Sequence, residues 1–216
     1  MKLLLTSAGM NVKDEIVNML PKPTNQIRLA HIITASKPEL NKNYLMKDKD
    51  GMKDLGFDVE DIDIEGKNQM ELREIFKDKE IIYVQGGNAF YLLKAVKESG
   101  FDQVVKDLIN QGKIYIGVSA GSYIACPTIE QAKWKHQDRN HCGLTDLKAL
   151  NLVPFLITAH FEEKYRPVIE QAAKACRYPI VALNDTQAIL IEDEKYKLVG
   201  KGKKEFFNGY KEKYES

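Results

Sequence analysis

The stretch Ile114-Tyr-Ile-Gly-Val-Ser-Ala-Gly-Ser122 runs from an apolar segment of strand length into a segment of helical character. Between the two, Ser119 is flanked at i−2 and i+2 by Gly117 and Gly121. A serine in that frame, between strand and helix, has the pattern of a nucleophile elbow. The turn is tight enough that side chains at the flanking positions would collide with the adjacent strand or helix, and the serine backbone is held under strain. Its hydroxyl then stands above the sheet, over a helix N-terminus that favours developing negative charge. Ser119 is the candidate nucleophile; the bland alternative is an ordinary strand-to-helix turn.

On either side of the elbow, apolar runs of strand length alternate with helical patterns. Strands are expected at Lys2–Thr6, Ile27–Thr34, Phe57–Ile64, Glu80–Val84 and up to Ser119, then at Pro154–Ala159, Pro179–Leu183, Ala188–Glu192 and Lys197–Val199. Helices are expected at Lys13–Leu20, Pro38–Leu55, Met70–Phe76, Ala89–Glu98, Asp102–Gln111 and Glu163–Arg177. Gln131–Thr145 reads as a polar surface excursion, and Lys203–Ser216 as a charged, aromatic tail lying along the surface or fraying. Alternation with connections this short implies an α/β fold: one domain, a mainly parallel central sheet and helices on both faces. Ligands in such folds sit beyond the carboxyl ends of the strands. The turns after Val84, Gly117 and Ala159 are therefore expected to converge on one edge.

The bulk numbers narrow the function classes. A chain of 216 residues fits one domain with a sizeable core, or at most two small ones. With 32 basic against 31 acidic residues, it carries no electrostatic footprint for nucleic acid or an anionic membrane. No segment approaches the ~18 continuous apolar residues of a membrane span. Met1–Gly9 reads as a first strand and a glycine turn rather than a leader. Cys126, Cys142 and Cys176 are odd in number and widely spaced, which suits free thiols in a reducing cytoplasm.

An alkyl hydroxyl needs a base. Of His31, His136, His141 and His160, the last follows the apolar run Phe155–Ala159 and so stands at a strand's carboxyl end. His31 lies inside an apolar strand and is expected to pack there; His136 and His141 belong to the polar excursion, and with Cys142 they form an incomplete metal-ligand set. A carboxylate normally orients such a base. Asp185, in Ala182-Leu-Asn-Asp-Thr-Gln187, is the leading candidate and Asp138 its rival. Oxyanion donors are expected from the Ala120 N–H and from the turn Gly86-Gly87-Asn88, which could equally cradle a phosphate or simply turn.

Taken together, Gln85-Gly-Gly-Asn-Ala-Phe-Tyr-Leu-Leu93, Ile116–Ser122 with Ala125-Cys-Pro-Thr128, and Ala159-His-Phe161 resemble the peptidase E family of serine peptidases, which holds the aspartyl dipeptidases and cyanophycinases. The likeness runs in the same order from the first strand to about residue 200. It implies a fold like that of class I glutamine amidotransferases, a flavodoxin-like three-layer sandwich with serine in place of their cysteine. It further implies a Ser119–His160 pair, an acid carried over to Asp185, and a second oxyanion donor at Gly87. Aspartyl dipeptidases carry an arginine after the histidine that reads an acidic side chain. Here that segment is the short Phe161-Glu-Glu-Lys-Tyr-Arg166, with Lys164 and Arg166 as candidate readers and Asn88 as a further substrate contact.

The expectation is a cytoplasmic serine peptidase that hydrolyses small peptides, α-aspartyl dipeptides among them, through an acyl-enzyme and without cofactor or metal. Its partner is the peptide, with neither nucleic acid nor membrane; monomer and homodimer fit the sequence equally. An esterase or amidase using the same residues, and a non-catalytic binding domain on the same fold, are the rival readings.

Overall fold

A computed structural model of the protein describes residues 1–135 and 138–213. Its strands are β1 (Lys2–Thr6), β2 (Arg28–Ile32), β3 (Asp58–Ile62), β4 (Ile81–Val84), β5 (Ile114–Val118), β6 (Leu156–Thr158), β7 (Ile180–Ala182), β8 (Gln187–Glu192), β9 (Lys195–Gly200) and β10 (Glu205–Phe207). The helices are α1 (Lys13–Asn18), α2 (Asn43–Asp54), α3 (Gln69–Phe76), α4 (Ala89–Ser99), α5 (Phe101–Asn110), α6 (Ala120–Ala125) and α7 (Arg166–Ala173).

A seven-stranded sheet in the order β3-β2-β4-β5-β1-β8-β9 forms the centre. Its first five strands are parallel, and β8 and β9 close it antiparallel. Residues alternate between the two faces as the two-residue period of a strand requires. Leu3, Leu5, Ile82, Val84 and Tyr115 join the core under α3 to α6, with Leu72, Phe76, Phe90, Phe101 and Ile124. Leu4, Ile81, Tyr83 and Ile116 pack on the other face against Ile16 of α1 and Met52 of α2. Both faces are covered, which is why these strands read as unbroken apolar runs. The expected α/β class, mainly parallel sheet and helices on both faces all hold.

The register brings the carboxyl ends of three strands together. Thr6 of β1 lies opposite Val118 of β5, and Val84 of β4 opposite Gly117. Residues just past these ends, Ser7, Gln85 and Ser119, therefore share one edge.

Three elements depart from the sequence reading. The helix expected from Pro38 begins only at Asn43, because the Asn41 side chain accepts the Asn43 N–H at 3.0 Å and starts it there. The helix expected over Glu163–Arg177 opens as a 3₁₀ turn, with α7 proper spanning Arg166–Ala173. Pro167, which lacks an N–H, sits in the first turn of that α-helix, where it is tolerated. Finally, β6 and β7 do not join the main sheet. They pair in parallel as a separate small sheet, with β10 antiparallel to β7. The tail thus supplies a strand, and Tyr210 is buried against Phe155 and Phe206.

Candidate active site

Ser119 joins β5 to α6 with φ 46° and ψ −104°, in the left-handed half of backbone space. Holding an ordinary residue there costs on the order of 1–3 kcal/mol, so its surroundings must impose it. They do. The Ser119 N–H donates to the Thr6 carbonyl at 3.0 Å, and the Tyr115 hydroxyl donates to the Gly121 carbonyl at 2.7 Å. A Cβ on Gly117 would stand 2.7 Å from the Gly121 carbonyl carbon, and one on Gly121 would overlap the Val84 carbonyl. The flanking glycines are required by backbone contact.

His160 follows β6 and also takes positive φ, 54°. Its Nε2 lies 3.1 Å from Ser119 Oγ and its Nδ1 2.6 Å from Asp185 Oδ1. Asp185 occupies the turn between β7 and β8, where Asn184 Oδ1 accepts the Thr186 N–H at 2.8 Å. Hydrogen bonding to His160 holds the Asp185 carboxyl below its ordinary range, helped by a bond from Ser7. Serine, histidine and one carboxylate thus meet in a single chain of contacts.

The rival acid has a different engagement. Asp138 accepts the Ala89 N–H at the start of α4, at 2.9 Å, and burial, with Glu39 nearby, pushes its carboxyl up to about 6. Of the other histidines, His31 is buried and bonded to Asp61 at 2.9 Å, and burial lowers its pKa. His141 is exposed, and His136 lies outside the described residues. No three potential metal ligands cluster among the described residues.

The glycine turn has two N–H groups. Gly86 gives its own to Gln85 Oε1 at 2.9 Å, which leaves that of Gly87 without a protein acceptor among the described residues. Gly87 has φ 137°, and a Cβ there would overlap the Ala35 carbonyl. Ala120 opens α6, where the first N–H groups of a helix have no partner within it.

A cavity of about 490 Å³ opens over these groups, with Gly87, Ser119, His160 and Asp185 in its wall. Glu39, Asp48 and Asp138 line it too, against Lys47 as the one lysine or arginine among the described residues of its wall. The expected substrate contacts lie elsewhere. Lys164 bonds Glu162 at 2.8 Å on the surface, and Arg166 is held by Glu163 and Glu205 against the rings of Phe161 and Phe207. Neither lines the cavity. Asn88 caps α4 by accepting the Tyr91 N–H at 3.0 Å and gives its amide to the Arg139 carbonyl at 2.9 Å, so its side chain is spent on structure.

Sequence reasoning missed Ser7, Glu39 and Tyr44. Ser7 follows β1, and Glu39 and Tyr44 follow β2, both parallel strands. The carboxyl-edge rule reaches all three once β1 and β2 are counted among the strands that feed the site.

Similarity to known proteins agrees with this architecture. The family model for peptidase family S51 matches residues 3–199. The chain belongs to peptidase family S51. An uncharacterized peptidase of Pasteurella multocida (strain Pm70) is 31% identical over 198 residues, covering 89% of this chain and 94% of that protein. Peptidase E of Nostoc sp. (strain PCC 7120) is 27% identical, covering 92% and 86%. The crystal structure of a Listeria monocytogenes EGD-e protein with a provisional peptidase E name superposes with a TM-score of 0.82 at 28% identity, covering 93% of this chain and 98% of that one. This S51 peptidase therefore shares both the family's sequence and its fold.

Proposed function

We propose that this S51 peptidase cleaves small peptides by serine catalysis, with Ser119 as nucleophile, His160 as base and Asp185 as its orienting acid. The observation that carries the reading is His160, whose two ring nitrogens face Ser119 Oγ at 3.1 Å and Asp185 Oδ1 at 2.6 Å. Ser119 attacks the scissile carbonyl carbon while its proton passes to His160 Nε2, and Nδ1–H remains on Asp185. The tetrahedral oxyanion takes hydrogen bonds from the N–H groups of Ala120 and Gly87, each worth on the order of 3 kcal/mol. His160 then protonates the leaving amine, an acyl-enzyme remains, and water activated by His160 releases it.

The cavity's charge bears on the substrate. Glu39, Asp48, Asp138 and Asp185 outnumber Lys47 and the nearby Lys135, and Lys164 and Arg166 are bound to other carboxylates. Peptides beginning with a neutral or cationic residue fit this field better than α-aspartyl peptides. Three free cysteines suit a reducing cytoplasm as the working compartment. No helix among the described residues is long and apolar enough to cross a membrane.

The test is hydrolysis of a dipeptide panel with Lys, Leu, Glu and Asp first, by wild type and Ser119→Ala. Turnover is expected on Lys- and Leu-initiated substrates, with a loss of roughly 10⁴-fold or more in the mutant. Turnover that survives Ser119→Ala would overturn the mechanism, and a preference for Asp-initiated peptides would overturn the charge argument.

A further inference from the structure

We propose that Ser7 is a positioning residue of this site, its one hydroxyl bracing the His160 backbone and the Asp185 carboxylate together. The proposal rests on the Ser119–His160–Asp185 reading above.

Ser7 follows β1 directly and is fully buried. Its Oγ lies 2.7 Å from the backbone nitrogen of His160 and 2.8 Å from Asp185 Oδ1. Chemistry assigns the direction of both bonds. An amide N–H can only donate, so the Ser7 oxygen accepts from His160, and the single hydroxyl proton goes to Asp185. Asp185 Oδ1 thus receives two donors, Ser7 O–H and the ring Nδ1–H of His160.

Two features make this brace necessary. The Asp185 side chain is 53% exposed, so packing alone does not hold its rotamer. His160 sits at φ 54°, and among the described residues its N–H has no acceptor besides Ser7. One oxygen therefore stabilises a strained backbone and a half-exposed carboxylate at once.

The topology gives the brace its leverage. Ser119 rides on β5 of the main sheet, whereas His160 follows β6 of the small sheet and Asp185 lies between β7 of the small sheet and β8 of the main one. No ladder of backbone hydrogen bonds joins β5 to β6, so the alignment of nucleophile and base depends on side chains that cross between the sheets. Tyr123 makes one such link, accepting the Ala159 N–H on its hydroxyl at 3.1 Å. Ser7, carried on the strand that pairs with β5, makes the one that ends on the acid.

The experiment compares wild type, Ser7→Ala, Ser7→Thr and Asp185→Asn, with Ser7→Ala also built into Asp185→Asn. The readouts are peptide hydrolysis, the rate at which a fluorophosphonate labels Ser119, and thermal stability. Ser7→Ala is expected to lower kcat by at least about tenfold with KM within about twofold, the mark of a group acting on the reacting geometry. Labelling should slow by a similar factor, and Ser7→Thr, which keeps the hydroxyl, should recover most of both. In the Asp185→Asn background the same change should cost clearly less than in wild type, because the part of its effect that runs through the acid is already gone and only the His160 N–H still loses its acceptor.

Ser7→Ala with kcat and labelling within about twofold of wild type would overturn the proposal, as would an equal fold-loss in both backgrounds. If Ser7→Ala fails to fold, Ser7→Cys, similar in size but a weak donor, replaces it in every comparison, with the same losses expected and the same results overturning the proposal. A dead Ser119→Ala beside a fully active Ser7→Ala would remove only the role of Ser7. An active Ser119→Ala would remove the reading on which it rests.

Discussion

Of the four carboxylates that line the cavity with Ser119 and His160, Asp185 and Asp138 are pushed in opposite directions by their environments. Asp185 is held low by His160 and Ser7, so it is ionised wherever a neutral histidine base could work. Its folded pKa is depressed. Its contribution to stability is therefore present above the unfolded carboxyl value and is lost as pH falls through the folded one. Asp138 is raised to about 6, chiefly by burial, with Glu39 adding to the shift. Between an unfolded value of ~4 and that folded value, the native state keeps a proton the unfolded chain has released, so stability falls as pH rises through the window. Asp138→Asn retains an acceptor for the Ala89 N–H without the charge. It should stabilise the protein by on the order of 1–2 kcal/mol at pH 8, with the gain gone below pH 4 in thermal melts. The same pair separates the acids by activity. Asp185→Asn should lose roughly 10³- to 10⁴-fold in kcat while staying folded, and Asp138→Asn should keep kcat within about tenfold. The reverse ranking would hand the orienting role to Asp138.

At the level of elements, the elbow is built by steric exclusion. Gly121→Ala would drive a Cβ into the Val84 carbonyl, an overpacking that should cost on the order of 1–3 kcal/mol or more in a denaturant titration. Gly66→Ala is the control. Gly66 has φ 74° but nothing within 4 Å of its would-be Cβ, so only the left-handed strain of about 1 kcal/mol applies. Equal destabilisation of the two would show that contact with β4 is not what demands the glycine. Gly87 joins both penalties, positive φ and overlap with Ala35, so its replacement would disturb folding as well as any oxyanion contact. The same elements show how far local patterns carry. The Gly117/Gly121 frame was legible because steric need writes itself into residue type. The start of α2 is not, since it turns on the hydrogen bond of one asparagine side chain, and the commitment of Asn88 is set by its two bonds to Tyr91 and Arg139, neither of which marks the local sequence.

For the whole molecule, the consequential feature is that the site is assembled from two sheets. The main sheet carries Ser119; the small one, β10-β7-β6, carries His160 and leads into Asp185. The C-terminal segment closes the small sheet, and Tyr210 packs its ring against Phe155 at 5.0 Å and Phe206 at 4.8 Å. Its buried hydroxyl has no partner among the described residues. Tyr210→Phe should therefore raise stability by about 1 kcal/mol, by removing an unpaired polar atom, and Tyr210→Ala should lower it by roughly 3–5 kcal/mol. Thermal melts check both, and a destabilised Tyr210→Phe would mean that the hydroxyl is satisfied in solution.

By itself the sequence determined the α/β alternation, the elbow at Ser119, the strand-end position of His160 and the family, because each is written in contiguous residues under a local constraint. Apolar runs report buried strands, paired glycines report backbone contact, and motifs keep their order along the chain. Only the tertiary structure decided that β6 and β7 leave the main sheet, that Asp185 rather than Asp138 meets His160, that Lys164 and Arg166 turn away from the cavity, and that Ser7 joins base to acid. Those are relations between residues up to 178 positions apart, set by how two sheets pack. Side-chain pairing across such distances leaves no mark on local composition or periodicity.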